Sequence, residues 1–168
     1  LQTAFLKKPN SKEQIESIKR LAIQPFFYDL VAGLEDMDAI LAGMNFCADQ
    51  ENYNRIITQA RLLDQAFFQA GYSCKGEPYR ADLAGPNVAQ IQGIIDAAEG
   101  CVPILQAHGM SLQKNMGDNP QGNEVWKQFV FRFGKFSHAI TGLGDHIALK
   151  QHRREESAHE PVLMCALA

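Results

Sequence analysis

The chain has 168 residues, of which 46% are hydrophobic and 21% charged, and its net charge is −3 at pH 7. These values exclude a disordered chain, and the negative charge argues against nucleic-acid binding, which needs clustered Lys and Arg. No uninterrupted apolar run reaches the roughly 18–20 residues of a membrane helix. We therefore expect one soluble domain over residues 1–168, without membrane association.

Two helical segments are predicted before residue 45. Residues 1–10 are expected to form a loose N-terminal arm, and Ser11 with Gln14 forms a capping box, which satisfies two backbone donors at a helix start. Apolar residues then repeat every three or four positions until Pro25, which is expected to break or kink the helix. The same period over residues 26–44 predicts a second segment.

The next predicted helix has the cleanest apolar stripe. Asp49 is a candidate N-cap, the stripe covers residues 53–70, and Gly71 is a natural helix stop. Residues 72–86 contain two Gly and two Pro and show no period, so they predict a long loop. Pro86 at the end of this loop suits the first turn of the following helix.

A further helical region follows the loop. Apolar residues keep one face over residues 88–105, through Gly100 and Pro103, which predicts a kinked helix or two short ones. Gly109 is expected to end this region. Residues 111–116 are expected to add one more turn.

The last predicted helix begins after a run of turn-forming residues at 116–123, with Asn123 as its cap. Its apolar face consists of Val125, Phe129, Phe133, Phe136, Ile140, Leu143 and Ile147. Phe129, Phe131 and Phe133 also alternate at strand spacing, but the longer helical stripe favours a helix. Three glycines in it would let a neighbouring helix approach closely: Gly134, Gly142 and Gly144. The tail at 157–168 is expected to be flexible or to dock.

These segments together predict an all-α protein. No alternation of strands and helices is found, and no series of short strands. The apolar stripes predict a single-domain bundle of five or six helices, with a long loop near residues 72–86.

Charge is unevenly distributed along the chain. Residues 1–20 are rich in Lys and Arg, whereas residues 21–54 contain six acidic residues and neither Lys nor Arg. One interpretation is a solvated acidic helix face, and the other is a surface for a basic partner. In the second interpretation, Glu35, Asp36 and Asp38 are candidate partner contacts.

Several aromatic residues fall outside the single apolar stripe that a one-sided helix needs. Phe131 shares a helical face with Lys127, Lys135, His138 and Gly142, and further aromatics stand at Phe26, Phe27 and Phe68. Either these helices are buried all round, or they present an apolar patch to a partner. Because aromatics ringed by charges are typical of interface centres, Phe131 is a candidate partner-binding residue.

The cysteines show no spacing typical of a metal or haem site. They stand at Cys47, Cys74, Cys101 and Cys165, with no CxxC pair among them. We interpret them as reduced thiols, with disulfides as the alternative, and favour a cytoplasmic location over a periplasmic or secreted one. Because the chain starts at Leu1, removal of a targeting segment stays an open alternative.

One short motif suggests catalysis. Arg132-Phe-Gly-Lys-Phe-Ser-His138 resembles the RxxxxxH element of HEPN ribonucleases, although Phe133 stands where that family commonly has a polar residue. The resemblance implies a metal-independent ribonuclease in which Arg132 stabilises phosphorane charge and His138 moves a proton, across a dimer. The alternative is that Arg132 lies over apolar neighbours and His138 is a surface residue.

Metal and cofactor sites have little support in the sequence. His138 and Asp145 share a helix face, and His152 stands three residues before Glu155, but a bundle metal site needs ligands from several helices. We expect no metal and no cofactor.

The leading hypothesis is a non-enzymatic helical interaction module: an adaptor, an inhibitor or immunity-type binder, or an oligomer subunit. We expect a basic protein partner, and homodimer formation is a further expectation. The HEPN-like ribonuclease is the alternative.

Overall fold

The computed structural model describes residues 12–79 and 85–167, with side chains described for 22–79, 85–120 and 122–152. The described chain forms four α-helices, which we number α1 to α4: α1 Lys12–Ala42, α2 Gln50–Gln69, α3 Val88–Asn115 and α4 Glu124–Leu167. A short 3-10 helix, Pro120–Gly122, precedes α4. The predicted all-α class is confirmed, and this part of the chain contains no β-strand.

The predicted count of five or six helices is wrong, because three expected breaks lie inside continuous helices. Pro25 lies within α1, and Pro103 and Gly109 lie within α3. Both prolines are exposed, so each ring lies on the solvent side of its helix and not in the core. Packing of the opposite helix face then keeps the helix continuous, since tertiary contacts dominate helix stability.

The four helices pack in alternating directions. Asp36 of α1 contacts Arg132 of α4, whereas Phe26, earlier in α1, contacts Gly142, later in α4, so these two helices are antiparallel. Helices α1 and α3 each pack against all three others, while α2 and α4 lie on opposite sides of the α1–α3 pair. The result is an up-down-up-down arrangement in which α2 and α4 are diagonally opposite each other.

One core cluster draws side chains from all four helices. Phe27 of α1 is fully buried, and its ring makes edge contacts with Phe67 of α2 at 5.3 Å and with Tyr72 at 4.7 Å between centroids. The predicted stripe of α4 faces this core through Phe129, Phe136, Leu143 and Ile147, while Val125 is exposed. The predicted division of α4 into a core face and a solvent face is therefore confirmed for most of its length.

Close packing of α1 on α4 depends on a glycine from each helix. A Cβ built on Gly33 of α1 would overlap the ring of Phe136, and a Cβ built on Gly142 of α4 would lie 2.5 Å from Cζ of Phe26. The predicted close approach therefore holds at Gly142. Gly134 and Gly144, in contrast, have nothing within 4 Å of an added Cβ.

The loop between α2 and α3 begins with a small hydrogen-bonded turn. Gly71, with a positive φ of 87°, ends α2 as predicted, and the Tyr79 amide then donates to the Gly71 carbonyl at 2.9 Å. Tyr72 and Pro78 form an isolated antiparallel bridge. Gly76 packs against Phe27 and Val31 of α1. This turn therefore lies on α1, beside the C-terminal end of α2.

The predicted helix caps are mostly confirmed. Asp49 caps α2 through the Asn52 amide, and Asn123 accepts from the Val125 amide at 2.9 Å. Pro86, however, precedes the N-cap of α3, which is Asn87 in a capping box with Gln90. The prediction of Pro86 in the first helical turn is wrong because the Asn87 side chain accepts from the Gln90 amide. Asn87 is therefore the N-cap, and Pro86 lies before the helix. The Ser11 cap and the 1–10 arm lie outside the described residues.

Helix α3 is the most apolar of the four. Within the described part of the chain it is the one helix long and apolar enough, by length and composition, to cross a membrane. Core helices of water-soluble proteins pass the same test, and in this fold Ile91, Ile94, Ile95, Ala98 and Ile104 of α3 are buried against the other helices. These residues give α3 a buried face in the core of the bundle.

Among the cysteines with described side chains, Cys101 is buried in α3, while Cys47 and Cys74 are exposed free thiols. Burial, reinforced by the negative charge of Asp64, raises the pKa of the Cys101 thiol to about 12. In a variant carrying Cys47→Ser, Cys74→Ser and Cys165→Ser, we expect a thiol-specific disulfide reagent at pH 8 to modify Cys101 at least about 1,000-fold more slowly than in urea. Equal rates in buffer and urea would show that Cys101 is accessible.

Candidate functional site

The strongest polar contact between described side chains joins α1 to α4. Arg132 Nε donates to Asp36 Oδ1 and Oδ2 at 3.2 and 3.1 Å, and its Nη2 donates to Oδ1 at 2.8 Å. The side chain of Asp36 is 14% exposed and that of Arg132 37%. This fork-like pairing is the geometry in which Arg binds a carboxylate most strongly. It commits one predicted partner contact, Asp36, to an intramolecular role.

His108 of α3 lies beside this ion pair. Its ring makes an edge contact with Phe129 at 5.1 Å between centroids. Burial lowers the pKa of His108. The charge of the nearby Asp36 raises this pKa, and the charge of Arg132 lowers it. His108 therefore packs on the core close to the charged pair, and its surroundings favour the neutral imidazole.

The two residues of the RxxxxxH motif make separate contacts. Arg132 binds Asp36, whereas the exposed His138 has its ring 6.2 Å from that of Phe26. Phe26 and Asp36 are ten residues apart on α1, which corresponds to about 15 Å along the helix. Within one chain, the fold does not place the guanidinium and the imidazole around a common point. The catalytic role of Arg132 and His138 stays a prediction.

The remaining predicted acidic contacts, Glu35 and Asp38, are exposed on α1. Asp38 lies close enough to Asp64 of α2 to influence it: partial burial raises the pKa of the Asp64 carboxyl, and the charge of Asp38 raises it further. Among the described residues, no ion pair involves Glu35, Asp38 or Asp64. Asp38 and Asp64 therefore place two negative charges close together between α1 and α2, and the exposed Glu35 lies one helical turn before Asp38 on α1.

Two exposed aromatic side chains lie on the same side of the bundle as Asp64. Phe68 is one helical turn after Asp64, on the same side of α2, and is 67% exposed. Its ring makes an edge contact with that of Tyr79, at 5.6 Å between centroids. Tyr79 is held by the turn that packs on α1 and is 55% exposed. We call Glu35, Asp38, Asp64, Phe68 and Tyr79 together the acidic–aromatic face.

Phe131 lies elsewhere, on the outer side of α4. Its ring is 63% exposed, and Lys135 Nζ stands 4.6 Å from the ring centroid. Since α4 and α2 lie on opposite sides of the α1–α3 pair, Phe131 is not part of the acidic–aromatic face. Of the other singled-out aromatics, Phe27 is buried and Phe26 packs against the core.

Two clefts are lined entirely by described residues. One, of about 210 Å³, lies beside His108 and is bounded by α1, α2 and α3. The other, of about 320 Å³, lies between α2 and α3, and three of its eight lining residues carry amide side chains: Gln59, Gln65 and Gln69. Where side chains are described, no three His, Cys, Asp or Glu residues are grouped closely enough to hold a metal ion.

Asp64 and His108 were not identified from the sequence. In the sequence, Asp64 looks like any polar residue on the solvent side of α2. Only the tertiary structure brings it close to Asp38. His108 follows Ile104 by one turn, a spacing that fits a position at the edge of the core equally well. Tyr79 falls in the loop, where periodicity gives no information about neighbours.

Comparison with known proteins does not change this description. No family model, no curated protein and no solved structure matches this chain.

Proposed function

We propose that this chain is a non-enzymatic helical interaction module that binds a basic, amphipathic protein segment on its acidic–aromatic face. The observation that carries this proposal is the proximity of Asp38 and Asp64, which form no ion pair among the described residues, with the exposed Phe68–Tyr79 ring pair one helical turn beyond Asp64. Lys or Arg side chains of a partner would relieve the repulsion between Asp38 and Asp64.

The aromatic part of the face supplies the apolar contribution to binding. Covering Phe68 and Tyr79 removes apolar surface from water, which is worth about 25 cal/mol per Å². Aromatic side chains at the centre of a patch, with charged residues around them, are the arrangement in which binding energy concentrates at interfaces. The charges direct the approach of a basic segment, and the rings hold its apolar side.

A synthetic amphipathic helix with leucines on one side and lysines on the other tests the acidic part of the face. We expect the triple variant Glu35→Gln, Asp38→Asn, Asp64→Asn to bind this peptide about tenfold more weakly, measured by fluorescence anisotropy. Because burial and Asp38 raise the pKa of Asp64, its charge disfavours the folded state, so neutralising it is not expected to destabilise the fold. Asp36 is left intact because it binds Arg132.

The matched control removes three charges elsewhere, through Glu99→Gln, Asp118→Asn and Asp145→Asn, all at exposed positions. Binding by this variant is expected to stay within about twofold of the wild type, since more distant exposed charges are screened by salt. Equal weakening by both triple variants would show that only net charge matters, and would contradict a specific face.

A second comparison separates the two exposed phenylalanines. Phe68→Ser is expected to weaken peptide binding, and Phe131→Ser on α4 is not. If Phe131→Ser has the larger effect, the partner surface lies on α4, where the sequence analysis also placed a candidate contact.

A further inference from the structure

The cleft beside His108 has an apolar interior. Five of its lining residues are apolar and come from α1, α2, α3 and the start of the α1–α2 loop: Ile40, Met44, Ile56, Ile104 and Ala107. Its volume is about 210 Å³. An apolar cavity of about 150 Å³ in another protein binds benzene, so this cleft accommodates a chain of about six carbons. These walls would therefore hold a short alkyl chain of a ligand.

The polar residues of the same cleft can each donate a hydrogen bond, and one of them is a cation. They are Asn52 and Arg55 of α2 and His108 and Ser111 of α3. Arg55 is the one charged residue lining the cleft, and no described ion pair involves it. No acidic residue lines the cleft, and the nearby Asp36 is neutralised by Arg132. This charge distribution favours an anionic head group.

We propose that this cleft binds a small amphiphilic monocarboxylate, with its alkyl chain against Ile40, Ile56 and Ile104 and its carboxylate at Arg55. A carboxylate accepts from a guanidinium in the same way that Asp36 accepts from Arg132. This site shares no residue with the acidic–aromatic face, so it does not depend on the proposed partner binding.

Hexanoate is the probe, and the full chain is titrated while the methyl signals of Ile40, Ile56 and Ile104 are followed by NMR. We expect saturable shifts of these signals, and an affinity about three- to tenfold lower in Arg55→Gln. Arg61→Gln is the matched control, because Arg61 is an exposed arginine of the same helix that does not line the cleft. It is expected to bind hexanoate like the wild type. Hexanol, which lacks the charge, should bind more weakly than hexanoate and be insensitive to Arg55→Gln.

A second variant blocks the cleft without touching its charge. Ala107 is exposed and lines the cleft, so Ala107→Leu places a larger side chain in the space for the alkyl chain, and should abolish the shifts. The circular dichroism spectrum of each variant checks its fold; if Ala107→Leu does not fold, the comparison of Arg55→Gln with Arg61→Gln decides.

Three results would overturn the proposal: no saturable shift at the three isoleucines, equal effects of Arg55→Gln and Arg61→Gln, or hexanol binding as tightly as hexanoate. The triple variant of the acidic–aromatic face is expected to bind hexanoate normally. Failure of peptide binding and failure of carboxylate binding are therefore distinguishable.

Discussion

Replacing Arg132 with methionine is expected to lower the free energy of unfolding by about 1–3 kcal/mol, measured by urea denaturation. Methionine keeps much of the apolar stem of Arg132 but removes all three hydrogen bonds to Asp36. The carboxylate, only 14% exposed, is then left without its cation. The expected loss is below that of a fully buried ion pair, since Arg132 itself is 37% exposed.

The control is Lys127→Met on the same helix. Lys127 pairs with Glu124 at 3.7 Å, and both side chains are more than half exposed. Such a pair contributes no more than about 0.5 kcal/mol. If Arg132→Met is no more destabilising than Lys127→Met, the α1–α4 ion pair does not stabilise the fold.

A double-mutant cycle with Asp36→Asn measures the coupling directly. We expect Asp36→Asn with Arg132→Met to be less destabilising than the sum of the two single changes, because the second change removes a partner that is already unpaired.

The same variants bear on the ribonuclease hypothesis. Catalysis by Arg132 needs its guanidinium free of Asp36, so Asp36→Asn would raise, and not lower, any RNA cleavage by this chain.

Adding a single methyl group at two glycines is expected to change stability in opposite directions. Gly33→Ala should lower the free energy of unfolding by about 1–3 kcal/mol, because the new Cβ would overlap the fully buried ring of Phe136, which has little room to move. Gly134→Ala should raise it by about 0.5–1 kcal/mol, since nothing lies within 4 Å of its added Cβ and alanine is the better helix former. Thermal and urea unfolding of both variants check this.

The ring of Phe136 is the cause of the predicted difference, and a second variant tests it. In a Phe136→Leu background, whose side chain is smaller, the penalty of Gly33→Ala should shrink while the gain from Gly134→Ala should persist. Stabilisation of the wild type by both alanines would show that α1 and α4 do not pack as closely as Gly33 and Phe136 indicate.

The sequence by itself determined the helical class and the direction in which most side chains face. These properties are local: periodicity places Phe129, Phe136 and Leu143 on one side of α4, and short-range hydrogen bonds make Asn123 a cap and Gly71 a stop. The same local reasoning overestimated helix breaks at Pro25 and Gly109, because packing against the other helices outweighs the cost of one unfavourable residue.

The partners of the charged residues were decided only by the tertiary structure. Asp36 and Asp38 stand two positions apart in one acidic run, yet Asp36 binds Arg132, 96 residues later, while Asp38 lies close enough to Asp64 to raise the pKa of its carboxyl. Such pairings depend on the rotation of each helix about its axis and on its antiparallel register, which sequence spacing within one helix does not specify. For the same reason, the cleft around Arg55 and His108 exists only where α1, α2 and α3 meet.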